Sequence, residues 1–198
     1  FKSISKEFGS EKSNHLVNYH LKNGGISRFE KISWFVKNIL KIENEHLINK
    51  LIYDYGVEVK KSLFECEFRT NLTSLRKKLE GTFWSIASGG LEEEIKNFLI
   101  KKSFIQYFEN GVYGSPTPKI QIVENIKLSS KSNNNIWFLI GDSIYDYECA
   151  REYEMNFILA TDWSEIKNPY EFAKANNIEC ISGIEELDLE FLNSKKFI

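Results

Sequence analysis

The feature that most limits the fold is an apolar run that stops on two aspartates. Ile136-Trp-Phe-Leu-Ile140 is followed at once by Gly141-Asp142, and Asp146 comes four residues later. A short apolar run bounded by the polar tract Ser129 to Asn135 on one side and a glycine on the other reads as a buried strand. Strands of this kind, apolar on both faces, belong to parallel sheets covered by helices on both sides. Acids at the end of such a strand stand where these sheets bind ligands, beyond the carboxyl ends of the strands. Aspartate is scarce in this chain, occurring only at positions 54, 142, 146, 162 and 188, so the pairing of two in one loop is distinctive. Its short, stiff side chain suits Mg²⁺, which takes oxygen ligands at about 2.0–2.1 Å in near-octahedral geometry. The alternative for the same loop is that Asp142 caps a helix and Asp146 is an ordinary first-turn acid.

The rest of the chain divides into two textures. Residues 1–75 read as helices. Ser27-Arg-Phe-Glu30 has the form of a capping box, and Ile32, Phe35, Val36, Ile39 and Leu40 follow at helical spacing. Gly24-Gly25 breaks the preceding helical pattern, Leu16 to Leu21, which predicts a helical hairpin. Further helices are predicted over Glu43 to Tyr55, with Gly56 as its terminator, and over Asn71 to Glu80, closed by Gly81. From residue 76 to 198 short apolar runs alternate with amphipathic ones. Strands are predicted over Thr82 to Ala87, Phe104 to Gln106, Ile136 to Ile140, Asn156 to Ala160 and Glu179 to Ile181. Helices are predicted between them over Leu91 to Lys102, Pro118 to Lys127, Ile144 to Glu154 and Tyr170 to Asn176. This alternation predicts right-handed crossovers and an α/β, Rossmann-like parallel sheet with helices on both faces.

Two more places fall at the predicted carboxyl edge. Ser85-Ile-Ala-Ser88-Gly89-Gly90 ends an apolar strand in a serine and two glycines before a helix. Glycine permits close backbone approach, and free amides at a helix start favour phosphate, so Ser88 and Gly89 can hold an anion. The bland alternative is that Ser88 is a helix N-cap and the glycines a turn. Gly114-Ser-Pro-Thr-Pro-Lys119 is a rigid turn that puts a lysine at a helix start, where the macrodipole disfavours cations by some tenths of a kcal/mol. Aimed into a site, the Lys119 ammonium can neutralise a phosphate oxygen, a charge pair contributing on the order of 4 kcal/mol at ~4 Å and an effective dielectric near 20. Aimed outward, it is one more surface lysine.

Composition excludes several classes. The net charge of −2, with lysines and glutamates interleaved, offers no basic face to nucleic acid. No apolar stretch approaches the ~18 residues of a membrane span, and no signal-peptide pattern opens the chain, so the expected location is the cytoplasm. Cys66, Cys149 and Cys180 are odd in number and widely spaced, as reduced thiols are. His15, His20 and His46 lack metal-ligand spacing and read as surface or packing residues. The chain begins at Phe1 and its only methionine is Met155, so it reads as an internal piece or processed product of something longer.

In order and spacing, Ser88, Lys119 and the Gly141-Asp142-x-x-x-Asp146 strand end resemble the second, third and fourth motifs of the haloacid dehalogenase superfamily. His20-Leu-Lys-Asn-Gly-Gly-Ile-Ser-Arg28-Phe-Glu-Lys31 is similar to the helical cap of its branch containing phosphoglycolate phosphatase and β-phosphoglucomutase. The resemblance implies a helical cap domain over 1–75 and a phosphohydrolase-like core over 76–198. It implies hydrolysis of a small phosphorylated metabolite through an aspartyl-phosphate by a monomer or weak homo-oligomer. Ser88 and Gly89 would bind the transferring phosphoryl group, Lys119 would offset its charge, Asp142 would hold Mg²⁺, and Asp146 would orient Lys119 or join the metal's outer shell. Arg28 would contact the non-reacting part of the substrate. One element is missing: the family's first motif, Asp-x-Asp-Gly, which supplies the nucleophile, occurs nowhere in these 198 residues. The resemblance therefore implies an absent core strand between those ending at Ser88 and Asp142, and it leaves two other readings open. One is a catalytically silent phosphate- and Mg²⁺-binding or regulatory protein, the other a sugar-phosphate mutase.

Overall fold

The computed structural model describes residues 1–66, 71–129 and 135–194. The predicted polar loop Ser129 to Asn135 lies mostly outside them. Five helices come first: α1 (Lys2–Ser5), α2 (Ser10–Lys22), α3 (Arg28–Trp34), α4 (Glu45–Glu65) and α5 (Leu72–Lys78). The local signals are side-chain caps. Ser27 Oγ accepts from Glu30 N, Asn44 Oδ1 from Leu47 N, and Asn71 Oδ1 from Ser74 N, each satisfying an amide that the helix itself leaves unpaired. After Trp34, α3 widens into a π-type turn over Phe35–Ile39. That turn delivers Phe35 and Val36 into a core shared with Ile4, Leu16, Ile32, Ile48 and Leu51.

Gly56 does not end a helix, as the pattern predicted. It lies inside α4, and a Cβ there would sit 3.4 Å from Glu94 Oε1 and 3.5 Å from Arg28 Nη1. The glycine marks a close approach between elements and not a stop.

The α/β part runs β1 (Ile86–Leu91), α6 (Glu92–Lys101), β2 (Val112–Ser115), α7 (Lys119–Leu128), β3 (Phe138–Gly141), α8 (Ile144–Glu152), β4 (Asn156–Ala160), α9 (Pro169–Asn176), β5 (Glu179–Ile181) and α10 (Leu189–Ser194). All strand pairs are parallel. The middle strand of the larger sheet shows why: Phe157, Ile158 and Leu159 are all buried. Ile158 packs on one face with Leu72, Leu75, Leu79, Ile181 and Leu187, whereas Phe157 and Leu159 pack on the other with Ala150 and Ala173. A strand apolar on both faces is stable only between two layers of helices.

Three strand assignments are corrected, the first being the opening run, which pairs only from Phe138 to Gly141 and leaves Ile136 and Ile140 exposed where a buried strand was expected. The predicted strand Thr82 to Ala87 is irregular up to Ser85, and pairing starts at Ile86 and runs through Ser88-Gly89-Gly90 to Leu91. The apolar residues that suggested an earlier start do other things: Phe83 is exposed, and Trp84 donates through Nε1 to Thr82 Oγ1 at 2.8 Å. Phe104 to Gln106 leads into a short 3-10 turn over Ile105–Tyr107, and the second strand is Val112–Ser115. Its composition hid it, because Gly114 contributes no side chain. A Cβ at Gly114 would fall 2.5 Å from Gly90 O, so the backbone approach forbids one.

The sheet is interrupted. β1 pairs with β2, and β3 with β4 and then β5, but β1 and β3 do not pair with each other. Among the described residues each therefore has one edge without a strand partner, which in a parallel sheet is normally reserved for the outermost strands. The halves are joined from the side, where α7 packs on β1, β2 and α8, and α8 on β3 and β4. Among the described residues no helix is long and apolar enough to cross a membrane, and the three cysteines are unpaired.

Candidate active site

Lys119, Asp142 and Asp146 meet at the ends of β2 and β3. Gly141 ends β3, and Ser143 begins α8 as its N-cap. Ser143 and Asp146 form a reciprocal capping box: Asp146 N donates to Ser143 Oγ at 3.2 Å, and Asp146 Oδ2 accepts from Ser143 N at 3.2 Å and from Ser143 Oγ at 2.7 Å. Serine, and not Asp142, is therefore the cap. The other oxygen, Asp146 Oδ1, accepts from Lys119 Nζ at 2.5 Å, with both side chains nearly excluded from water. One carboxylate thus ties the start of α8 to the start of α7. Gly141 is required beneath it, since a Cβ there would lie 2.5 Å from both Cβ and Cγ of Asp146.

Asp142 is left over from this network and differs from its neighbours. It keeps much of its surface in solvent, yet the protein atoms massed around its carboxyl push its pKa up, and the charge of Asp146 pushes it further. Glu165, from the loop after β4, adds to the rise, while a backbone hydrogen bond and Lys119 oppose it. The loop is anchored, because Ser164 Oγ donates to the Asp142 carbonyl at 2.6 Å. An accessible acid in a locally negative field, beside acids that repel it, is suited to gain a cation.

The β1 end is built differently. Ser88 Oγ accepts from Gly90 N at 3.0 Å, so its hydroxyl folds back on its own turn. The pairing with β2 slips between Ala87 and Leu91, and the bulge carries Ser88, Gly89 and Gly90. Ser115, completely buried and not singled out by its sequence context, donates through Oγ to Gly89 O at 2.6 Å. The turn that follows Ser115 contains a cis Ser115–Pro116 peptide and leads to Lys119. A serine directly before Pro-x-Pro is the signal that could have been read.

The helical block reaches into this cluster by one loop. A Cβ on Gly89 would fall 2.3 Å from Gly25 O, and one on Gly25 would fall 2.9 Å from Ser143 Oγ. The Gly24-Gly25 loop therefore lies against both strand ends at once. Arg28, expected at the site, is engaged elsewhere: Nη1 donates to Glu94 Oε1 at 3.1 Å, Nη2 to Glu94 Oε2, and the guanidinium lies 4.9 Å over the Tyr55 ring.

Among the described residues no three His, Cys, Asp or Glu side chains cluster as an all-protein metal cage would need. Mg²⁺ does not require one, since it is commonly held by one or two carboxylates together with substrate phosphate and water. Asp142 fits one such ligand position; both oxygens of Asp146 are taken by Ser143 and Lys119.

A family model describing haloacid dehalogenase-like hydrolases matches residues 5–160. The match includes Ser88, Lys119, Asp142 and Asp146 as well as most of the helical block, and the chain belongs to this family. A search of curated proteins returned no match.

Proposed function

We propose that this chain carries the phosphoryl-binding half of a Mg²⁺-dependent phosphomonoester hydrolase, with residues 1–75 as its cap. The observation that carries the reading is the meeting of the nearly buried Lys119, its partner Asp146 and the accessible Asp142 at the ends of β2 and β3, with the Gly24-Gly25 loop reaching from there to Gly89. Ser88 and the Gly89 amide bind the phosphoryl oxygens, and Lys119 offsets their charge. Asp146 fixes the lysine in place, so no reorganisation is needed when charge develops. Asp142 would hold Mg²⁺, which when bound would supply further charge neutralisation at the phosphoryl group. The interruption between β1 and β3 supports placing the missing Asp-x-Asp strand there, and that strand would bring the nucleophile beside Lys119 and Asp142. The Gly24-Gly25 loop closes the site from the cap side and excludes water.

A second reading, a catalytically silent phosphate-binding protein, is favoured by one fact: no Asp-x-Asp occurs in the 198 residues. Expression from the complete reading frame separates the two. Release of inorganic phosphate from a panel of phosphomonoesters, Mg²⁺-dependent and reduced at least ~100-fold by Lys119→Ala, supports the hydrolase, given that one removed transition-state donor typically costs that much. No release, with retained phosphate binding, supports the silent protein.

A further inference from the structure

The charged groups of the site are not held alike. Lys119 and Asp146 fix each other through their side chains, and Ser143 completes that network. Asp142 stands one residue beyond the last paired position of β3, Gly141 opposite Leu159, and one residue before the N-cap of α8. Its backbone is outside both ladder and helix, and it follows Gly141, whose backbone no side chain restrains. The group that reaches it from elsewhere is Ser164. A hydroxyl has one hydrogen and two lone pairs. Ser164 Oγ accepts from Ile166 N at 3.2 Å, which orients it, and donates its hydrogen to the Asp142 carbonyl at 2.6 Å. Ser164 is in turn held from the sheet. Its amide donates to Thr161 O at 3.2 Å, closing a turn with Asp162 and Trp163 at its tip. Thr161 is buried and donates to Ile181 O twice, through N at 2.8 Å and through Oγ1 at 3.2 Å. Asp162 N donates to Ser182 O at 3.2 Å. The turn therefore stands on β5 and its end, two strands away from β3, and passes that support to Asp142 through one hydrogen bond.

Aspartate has a short side chain, so the place of its backbone sets the place of its oxygens, and Mg²⁺ tolerates little error in ligands at about 2.0–2.1 Å. A residue that fixes a ligand's position changes metal affinity without touching the metal. We infer that Ser164 is a positioning residue for the cation, its bond to the Asp142 carbonyl holding the carboxylate where Mg²⁺ and a bound phosphoryl group meet. The inference rests on the phosphohydrolase reading, in which Asp142 is the metal ligand, and extends the site to the turn after β4. Ser88, Gly89 and Lys119 come from β1 and α7, so the turn acts on the cation and not on the anion.

The test compares this chain with Ser164→Ala and with Ser164→Thr, which keeps the hydroxyl. Ser164 is only half-buried, so the substitutions leave the fold standing. Mn²⁺ alone, followed by the loss of its free-ion EPR signal, should bind Ser164→Ala about 3- to 10-fold more weakly than the parent, the span of one hydrogen bond. Ser164→Thr should stay within about 2-fold of the parent. In calorimetric titrations with propylphosphonate, Ser164→Ala should weaken binding by about 3- to 10-fold when Mg²⁺ is present and by less than about 2-fold when it is absent. A residue that merely staples the loop would weaken both titrations alike. Three results overturn the role of Ser164 and leave the phosphoryl site standing: parent-like Mn²⁺ binding by Ser164→Ala, equal weakening with and without Mg²⁺, or a Ser164→Thr variant no better than Ser164→Ala. A parent chain that takes up no Mn²⁺ and gains nothing from Mg²⁺ overturns the metal role of Asp142 and this inference with it.

Discussion

The two strand ends that form the site are held by different chemistry. At β3 the groups are side chains: Gly141 makes room, Ser143 and Asp146 cap each other, and Lys119 closes the circuit. At β1 they are mostly backbone: Ser88 bonds the Gly90 amide, Ser115 bonds the Gly89 carbonyl, and Gly89 touches Gly25. Side-chain wiring fixes charge at defined points, as the roles proposed for Lys119 and Asp142 require. Backbone contacts fix the course of the strand end and leave little fixed charge there.

The difference can be broken from either end. The largest effect is expected for Gly141→Ala, whose Cβ has no room beside Asp146 and would drive the carboxylate off Lys119. Overpacking together with an orphaned buried lysine predicts a loss of about 4 kcal/mol, measured by urea unfolding. Ser115→Ala removes one hydrogen bond and leaves the Gly89 carbonyl unpaired, for a loss of about 1–2 kcal/mol. It should weaken phosphonate binding while sparing the Lys119–Asp146 contact, which a crystal structure of the variant would show unchanged.

Asp142→Asn should have the smallest effect on stability and the opposite sign. The folded protein raises the Asp142 pKa, so it favours the protonated acid, and stability is lost as pH rises through the folded value. The asparagine variant should therefore melt above the parent at pH 7. The gain should vanish below about pH 4, the ordinary carboxylate range.

The same contrast explains what the sequence made legible. The β3 end was readable because its chemistry lies in residue types: an apolar run, a glycine, and two aspartates in a chain that uses few. Strands β4 and β5 were found at their observed bounds for the related reason that buried apolar residues mark them, Phe157, Ile158 and Leu159 in one and Ile181 in the other. The β1 end was misplaced because its pairing residues are glycines and serine, and β2 was missed because Gly114 must be small to let Gly90 approach. Gly56 failed as a terminator for the same reason, since closeness to Arg28 and Glu94 is a tertiary fact that local pattern cannot encode. Arg28 and Lys31 stand three residues apart in one helix turn. Glu94, 66 residues from Arg28 in sequence, pairs with Arg28 and not with Lys31, a choice that only the tertiary fold makes.

On the proposed function, the two strand ends act as one phosphoryl site completed by a cation on Asp142. Calorimetric titration of this chain with propylphosphonate, with and without Mg²⁺, tests it most directly. Mg²⁺ should tighten binding by roughly 10-fold or more, the worth of one charge-assisted contact, and Asp142→Asn should abolish only this gain whereas Lys119→Met should weaken binding in both conditions. Binding that is indifferent to Mg²⁺, or an Asp142→Asn variant that keeps the full Mg²⁺ effect, would contradict it.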